Sequence, residues 1–152
     1  MFKKMFTRFS KVVAAGLVLS FMFLVPGAEA SHWGLSGGLQ THDPTIVRES
    51  GNTWWSASTG TGIGMKYSTN GGKTWTDGLP IFSQPLSWWK KYAPNMTTND
   101  VWAPDLEYYR GRYYCYYSVS EFGKNNSAIG LVSCSSISKG DWRDDGVVLY
   151  SR

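Results

Sequence analysis

The feature that most limits what this chain can fold into is a set of short aromatic and β-branched segments that occurs twice. Glycine, asparagine, aspartate and proline separate the segments, and no long stretch has helical periodicity, so the pattern predicts an all-β protein. The first copy begins at His42-Asp43-Pro44 and the second at Trp102-Ala103-Pro104-Asp105, so that Asp43 and Asp105 lie 62 positions apart. The predicted strands are 45–48, 53–59, 64–68 and one that begins at Trp75, then 106–109, 112–120, 128–133 and one that begins at Trp142.

The length of the repeat favours one architecture over another. Four short strands in about 60 residues are typical of one blade of a β-propeller. A ring closes only with about four or more blades, so two copies predict part of a larger ring. A single β-sandwich of about 120 residues, complete in itself, is the alternative that the same strand pattern permits.

The first thirty residues differ from the rest and predict a secretory signal peptide. Basic residues precede the apolar run 12–25, and Ala28-Glu29-Ala30 provides the small residues of a cleavage site before Ser31. The apolar run has 14 residues. At about 1.5 Å per residue it is too short to cross a hydrocarbon core of about 30 Å. We therefore expect a secreted mature chain of residues 31–152 with no membrane segment.

The positive charge of the chain belongs mostly to this leader. The whole chain has 15 Lys and Arg against 11 Asp and Glu, a formal net charge of +4. Four of the basic residues and one of the acidic residues precede Ser31, so the remainder carries about +1. A near-neutral chain has no electrostatic footprint for nucleic acid. All eight Trp and nine Tyr follow the leader, which excludes a disordered composition for the mature chain.

Two cysteines, Cys115 and Cys134, leave two outcomes open. If their strands paired as a hairpin centred between positions 124 and 125, the two residues would lie opposite each other, near the range of a disulfide bond. Two buried free thiols are the alternative. The spacing of the cysteines indicates no metal site, and His32 and His42 are too few and too far apart to suggest one.

Asp43 is the carboxylate that most clearly suggests chemistry. It stands at the entry to a strand, between a potential hydrogen-bond partner, His42, and Pro44. Because a residue before proline is biased toward extended backbone, we expect Pro44 to hold Asp43 extended and so to aim its side chain. Asp105 occupies the matching place in the second copy. There it would either share a central cavity with Asp43 or close a turn with a backbone amide.

Aromatic residues exceed what a core of this size needs, which indicates a second kind of site. The flat face of an indole suits the apolar face of a sugar, and Trp102 is the best-placed ring because it neighbours Asp105. The connection 83–100 carries Trp88 and Trp89, and long connections of this kind often rim a binding face. A surface loop anchored by one tryptophan is the alternative for that connection.

The segment Ser68–Trp75 resembles the Asp-box hairpin found in several propeller families. Its asparagine and two glycines provide the positive φ angles of a tight turn, and Trp75 packs the hairpin onto the sheet. We interpret the segment as structural rather than functional.

Five short motifs, taken in order, resemble those of one enzyme family. They are His42-Asp43-Pro44, Pro85–Trp89, Trp102–Asp105, Tyr116–Ser120 and Ser127–Leu131. Over nearly all of residues 31–152 they resemble the N-terminal part of the endo-1,5-α-L-arabinanases in family 43 of the glycoside hydrolases. The resemblance implies a five-bladed β-propeller, of which about two blades are present here. It also implies a monomeric enzyme that cleaves internal α-1,5 linkages of arabinan, a pectic polysaccharide, with inversion.

The resemblance further implies roles for single residues. Asp43 matches the general base, Trp102 an aromatic residue of a subsite and Ser120 a substrate contact. The family's general acid, the aspartate that tunes its pKa and the histidine of a central calcium site belong to sequence that follows this segment. The resemblance therefore implies calcium only for the full-length fold. It implies no cofactor bound within this chain. Because an inverting glycosidase needs both an acid and a base, we expect this chain to be inactive alone.

Two other functions are compatible with the sequence. One is an exo-acting arabinofuranosidase or β-xylosidase of the same family, because those enzymes share the motif at Trp102–Asp105. The other is a non-catalytic carbohydrate-binding β module, complete at this length, that uses Trp88, Trp89 and Trp102 as a platform. A product profile separates the two kinds of enzyme, whereas the module predicts saturable binding without hydrolysis.

Overall fold

The computed structural model describes residues 34–151, and the predicted signal peptide, residues 1–30, lies outside them. β-Strands contain 51 % of the described residues and helix only 3 %, which confirms the all-β prediction. Their one helix, α1 (Trp89–Tyr92), has four residues. Between residues 34 and 151 no helix has the length and apolar character needed to cross a membrane.

In residues 34–151 the strands, numbered in chain order, form two sheets of five. The first sheet contains β1 (Ser36–Gly37), β2 (Thr45–Ser50), β3 (Thr53–Ser58), β5 (Gly64–Ser68) and β6 (Thr74–Asp77). The second contains β4 (Gly60–Thr61), β7 (Asp100–Tyr109), β8 (Arg112–Ser120), β9 (Ser127–Cys134) and β10 (Arg143–Tyr150). The spatial orders are β1-β6-β5-β3-β2 and β10-β9-β8-β7-β4.

Each sheet is built on four antiparallel strands, β2-β3-β5-β6 in the first and β7-β8-β9-β10 in the second, which is the unit that the repeat predicted. The bounds of β5 and β8 agree with the prediction, but β7 begins at Asp100 and not at Leu106. The motif Trp102–Asp105 lies inside β7. The pairing register with β8 shifts between Trp102 and Asp105, and Ala103 has a φ of 44°. A motif that suggests a turn is therefore a bulge within a strand.

A short segment between β3 and β5 pairs with the second sheet before the chain returns to the first. After β3 ends at Ser58, the chain passes through Thr59 into β4, which pairs antiparallel with β7 of the second sheet. Nearby, the backbone N–H of Leu106 in β7 donates to Thr45 Oγ1 in β2 at 3.2 Å. The first strands of the two repeats are therefore neighbours, so the entries to these strands lie close together.

The core is well illustrated by β8, whose residues alternate between buried and half-buried positions. Successive side chains of a strand point to opposite faces, so one face of β8 is directed into the core. That face joins side chains from the first sheet and from the connection between β6 and β7 in a single cluster. Its larger members are Ile63, Met65, Phe82, Trp89, Val101, Leu106, Tyr113, Tyr117, Val119, Val132 and Ile137.

The two cysteines are buried free thiols, so the structure favours that alternative over a disulfide. In the β8–β9 pair, Cys115 is opposite Val132 and Cys134 is opposite Tyr113, so the hairpin register differs by two residues from the predicted one. The cysteines are diagonal neighbours, a relation that separates residues by about 7–8 Å. Burial raises the pKa of both thiols, and nearby carboxylates add to this effect, bringing the pKa of Cys134 to about 12.

The segment Ser68–Trp75 forms the tight turn between β5 and β6 that its sequence predicts. Asn70 Oδ1 accepts the backbone N–H of Thr74 at 2.9 Å, and Ser68 Oγ accepts that of Gly72 at 3.0 Å. Gly71 and Gly72 have φ angles of 75° and 87°, which glycine adopts without steric strain. These side chains are engaged in the turn itself, in agreement with a structural role.

Glu49, near the end of β2, links the first sheet to the connection between β9 and β10. Its carboxylate accepts Trp55 Nε1–H at 2.7 Å, the Ser136 hydroxyl at 2.7 Å and the Ser138 N–H at 3.0 Å. The Ser138 hydroxyl also donates to it. Burial alone would raise the pKa of Glu49, but the hydrogen bonds from Ser138, Ser136 and Trp55 together lower it below its ordinary value.

We expect Glu49→Gln to lower the free energy of unfolding by about 1–2 kcal/mol at neutral pH, because an amide cannot accept all of these hydrogen bonds. A carboxyl group whose pKa is lowered by folding stabilises the protein fully above its unfolded-state pKa. It loses that contribution as the pH falls through its folded-state pKa. The difference between wild type and variant should therefore shrink below about pH 4. Urea unfolding at several pH values tests this, and a difference independent of pH contradicts it.

Candidate active site

Asp43 lies in the turn that leads into β2, and its side chain is about half exposed, at 47 %. The Thr59 hydroxyl donates to Asp43 Oδ2 at 2.8 Å. Nδ1 of His42, a largely exposed imidazole, lies 3.2 Å from the same oxygen, as its place in the sequence predicted. Among the described residues no hydrogen bond reaches Asp43 Oδ1. One carboxylate oxygen is thus held while the other is available.

The backbone of Asp43 differs from the prediction. We expected Pro44 to hold it extended, but its φ is 48°, in the left-handed region that residues other than glycine seldom adopt. The bias before proline is a local preference, and tertiary contacts override it here. Besides the side-chain bond, the backbone N–H of Thr59 donates to the carbonyl of His42 at 2.9 Å, which fixes the turn. Backbone strain of this kind is concentrated at functional sites.

The second repeat shows the same backbone feature at Ala103 and not at Asp105. Like Asp43, Ala103 precedes a proline and has a positive φ, of 44°. Its N–H donates at 2.8 Å to Thr59 Oγ1, the same hydroxyl that binds Asp43. The position equivalent to Asp43 is therefore Ala103, and the predicted match with Asp105 was wrong. Asp105 is exposed, and in the described chain its carboxylate closes no turn with a backbone amide.

Trp102 and Ser120, the two predicted sugar contacts, line one cavity of about 330 Å³. The rest of its wall comes from the start of β7, the connection before it and the loop after β8. The rings of Trp102 and Phe122 meet edge to face with centroids 6.3 Å apart, and Phe122 is 92 % exposed. The Ser120 hydroxyl donates to the carbonyl of Asn126 at 3.1 Å, which leaves its oxygen able to accept a hydrogen bond.

Two carboxylates in the wall of this cavity are held by neighbouring groups. Glu121 accepts the backbone N–H of Asn95 at 2.8 Å and its Nδ2–H at 3.1 Å. These two bonds lower the pKa of Glu121, so it remains an anion that ties two loops together. Asp100 Oδ1 accepts the Thr61 hydroxyl at 2.6 Å. Within the segment 59–61, the Thr59 hydroxyl thus holds the Asp43 carboxylate, and the Thr61 hydroxyl holds the Asp100 carboxylate.

Several residues of this region carry no signal in the sequence. Thr59 binds Asp43 across 16 positions and Ala103 across 44, so no local motif marks it. Asp100 and Phe122 become part of the cavity only because the loops on either side of β7 and β8 meet there. The one signal for Thr59 in the sequence is that it is the last residue of the predicted strand 53–59.

Trp88 and Trp89 do not form a sugar platform, so the predicted platform of Trp88, Trp89 and Trp102 was wrong for this pair. Trp89 is fully buried, and its Nε1–H donates to the hydroxyl of Tyr117 at 3.2 Å. Trp88 packs against the core, and its Nε1–H donates to Asp144 Oδ2 of β10 at 3.1 Å. Both rings anchor the connection between β6 and β7 to the second sheet.

Among residues 34–151 no three His, Cys, Asp or Glu side chains are placed to bind a metal ion. The calcium ion that the resemblance implies belongs to the full-length fold.

The half-exposed Asp43 carboxylate is tied through one hydroxyl to the strand that carries Trp102, so the site combines a polar group with an aromatic face, the pair of features that a sugar ligand would need. Similarity to a known family places the chain more narrowly. The model of the glycosyl hydrolases family 43 matches residues 38–151, and the chain belongs to this family.

Individual relatives agree with this placement. The chain is 47 % identical to extracellular endo-α-(1→5)-L-arabinanase 1 of Bacillus subtilis (strain 168), over 98 % of this chain and 46 % of that protein. It is 38 % identical to extracellular exo-α-(1→5)-L-arabinofuranosidase ArbA of Cellvibrio japonicus, over 74 % of this chain and 33 % of that protein. The chain thus spans less than half the length of these relatives.

A solved structure shows the same fold. The GH43 endo-arabinanase from Bacillus licheniformis superposes with a TM-score of 0.73 at 51 % sequence identity. The match covers 78 % of this chain and 41 % of that one. The described residues therefore share the fold of a family 43 arabinanase.

Proposed function

We propose that the chain is the N-terminal part of a secreted family 43 hydrolase that cleaves internal α-1,5-L-arabinofuranosidic linkages of arabinan with inversion. The observation that carries this proposal is the link from the Asp43 carboxylate, through the Thr59 hydroxyl, to the backbone N–H of Ala103, the residue after Trp102. The similarity to arabinanases of two Bacillus species supports the substrate class, and the similarity to an extracellular arabinanase of Bacillus subtilis supports secretion.

The proposed architecture is a five-bladed β-propeller in a monomeric protein, with the two sheets as its first two blades. Each sheet contains a run of four antiparallel strands, β2-β3-β5-β6 in one and β7-β8-β9-β10 in the other, and the first strands of these runs, β2 and β7, are neighbours. That is the arrangement expected where adjacent blades surround a common axis. Residues 1–30 act as the signal peptide in this proposal and are removed on export.

Asp43 is the general base of the proposed reaction. Because Oδ2 is occupied by the Thr59 hydroxyl and approached by His42, Oδ1 is the atom that takes the proton of the attacking water. Inversion requires a general acid on the opposite face of the sugar, about 6.5–9.5 Å from the base. By the family resemblance, that acid and the aspartate that tunes its pKa belong to other parts of the whole protein.

Trp102 and Ser120 bind the sugar in this proposal. The indole of Trp102 offers a flat apolar face for an arabinofuranose ring, and it meets the ring of Phe122 edge to face. Ser120 accepts a hydrogen bond from a sugar hydroxyl, since its own proton is donated to the Asn126 carbonyl. The near-neutral mature chain suits an uncharged polysaccharide such as arabinan.

The time course of products from debranched arabinan tests the proposed function. The complete hydrolase should release a mixture of arabino-oligosaccharides from the first minutes, because an endo-acting enzyme cuts at internal bonds. Release of one small sugar from the start would favour the exo-acting alternative, which the similarity to the Cellvibrio japonicus protein keeps open. Residues 31–152 alone, expected to be inactive without the general acid, serve as the control. No hydrolysis by the complete protein contradicts the proposal.

A further inference from the structure

The segment Thr59-Gly60-Thr61 lies where the two sheets meet, and its first residue contacts both repeats. The segment follows β3 of the first sheet, yet Gly60 and Thr61 pair with Val101 and Asp100 of the second. Thr59 itself is half-buried, and it lies beside both positions where the backbone enters the left-handed region before a proline.

Three hydrogen bonds fix the position of Thr59. Its backbone N–H donates to the His42 carbonyl at 2.9 Å, which orients the turn that carries Asp43. Its Oγ1 accepts the Ala103 N–H at 2.8 Å, and its hydroxyl donates to Asp43 Oδ2 at 2.8 Å. A single side chain therefore joins the turn before β2 to the bulge in β7.

The direction of these bonds follows from the chemistry of the groups. A backbone N–H can only donate, so the Thr59 oxygen must accept from Ala103. The one proton of the hydroxyl is then available for Asp43, and an ionised carboxylate can only accept. The hydroxyl proton therefore points to Asp43 Oδ2, and Oδ1 is left as the oxygen that can take a proton from water.

The same bond fixes the orientation of the carboxylate. With Oδ2 occupied by the hydroxyl, rotation about the Cβ–Cγ bond of Asp43 would break a hydrogen bond to a charged group. The free oxygen, Oδ1, is thereby kept in one place. Productive proton transfer depends on such placement, because the base must lie within hydrogen-bond reach of the water that it activates.

We propose that Thr59 is a positioning residue, which holds the Asp43 carboxylate in the orientation that lets it activate the water attacking the glycosidic linkage. This inference rests on the proposed function of Asp43. It assigns to the bridging segment between the sheets a role in the rate of the reaction, in addition to its role in joining them.

The test compares Thr59→Val and Thr59→Ser in the complete hydrolase with arabino-oligosaccharide as substrate. Valine has nearly the shape of threonine but no hydroxyl, so kcat should fall about 10–100-fold, the range expected for losing a hydrogen bond to a charged group. KM should change less than kcat, because the bond to Asp43 affects the base, although valine also loses the bond to the Ala103 N–H beside Trp102. Serine keeps the hydroxyl and should restore most of kcat.

Thr53→Val is the matched control, since Thr53 lies at the other end of β3 and the same change there removes a hydroxyl far from Asp43. Its kcat, KM and melting temperature should stay close to those of wild type. If Thr59→Val does not fold, Thr59→Ala, which removes the hydroxyl without adding a methyl group, takes its place in the comparison.

The outcomes separate this inference from the function on which it rests. If Asp43→Asn retains full turnover, the proposed base is wrong and the role of Thr59 is overturned with it. If Asp43→Asn is inactive while Thr59→Val keeps its kcat, only the positioning role is overturned. A raised KM with unchanged kcat, or an equal loss in the serine and valine variants, also overturns it. Loss of kcat in the valine variant with rescue by serine supports it.

Discussion

The complete hydrolase with Asp43→Asn is expected to turn over arabinan about 10²–10⁴-fold more slowly than wild type, the usual contribution of general acid–base catalysis. Asparagine keeps the shape of the side chain and can still accept the Thr59 hydroxyl, which bonds Oδ2 at 2.8 Å. It cannot take a proton from water. Because the cavity around Trp102 is untouched, the affinity for arabino-oligosaccharides, measured by calorimetry, should change by less than about two-fold.

Asp105→Asn is the matched control for this experiment. It makes the same change of charge at an exposed aspartate that carries no hydrogen bond to Thr59 or to the turn around Asp43. Its turnover should remain near that of wild type. Undiminished turnover in Asp43→Asn contradicts the assignment of the base, and a loss in Asp105→Asn alone would move that role to the second repeat.

Trp89→Ala should lower the free energy of unfolding by about 3–5 kcal/mol, the range for removing a large aromatic side chain from a core. Trp89 is fully buried and meets Phe82 edge to face, with ring centroids 5.0 Å apart. Its indole N–H also donates to the Tyr117 hydroxyl at 3.2 Å, so truncation leaves both a void and an unpaired buried hydroxyl. Urea unfolding followed by far-ultraviolet circular dichroism measures the loss.

Phe122→Ala provides the comparison for the effect of Trp89. It also removes an aromatic ring, but one that is 92 % exposed, so the free energy of unfolding should change by less than about 0.5 kcal/mol. If the two variants are equally stable, Trp89 does not anchor the core. A variant Trp89→Phe should fall between them, because it fills part of the space without restoring the bond to Tyr117.

Most of the fold could be predicted from the alternation of hydrophobic and polar residues and from the residues that form turns. β5 and β8 have the predicted bounds because each is a regular strand that ends at recognisable turn residues. β7 was predicted too short, since the proline and the positive φ of Ala103 interrupt the alternation inside a bulge. The β8–β9 register was wrong by two residues because a long loop does not determine its own pairing, and this error brought the two cysteines opposite each other.

The site was predictable where a motif is local, and not where it is assembled by the fold. Asp43 could be selected from its immediate neighbours, but its left-handed backbone depends on Thr59, which is remote in sequence. Trp102 and Ser120 were chosen separately, and the fold brings them to one cavity. The prediction that Asp43 and Asp105 occupy equivalent positions of the two repeats was wrong, because the bulge makes Ala103 the residue equivalent to Asp43.

The bridging segment has a consequence for how such genes can be recombined. Thr59 belongs to the first repeat in sequence, but Gly60 and Thr61 complete the inner edge of the second sheet by pairing with β7. An exchange of modules with a crossover before residue 59 would separate the proposed base from its hydroxyl donor, whereas one placed after residue 61 would transfer both together. Because β4 lies between β3 and β5, the first repeat carries Asp43 and Thr59 together, and an exchange after β6 would leave β4 to pair with the β7 of another protein.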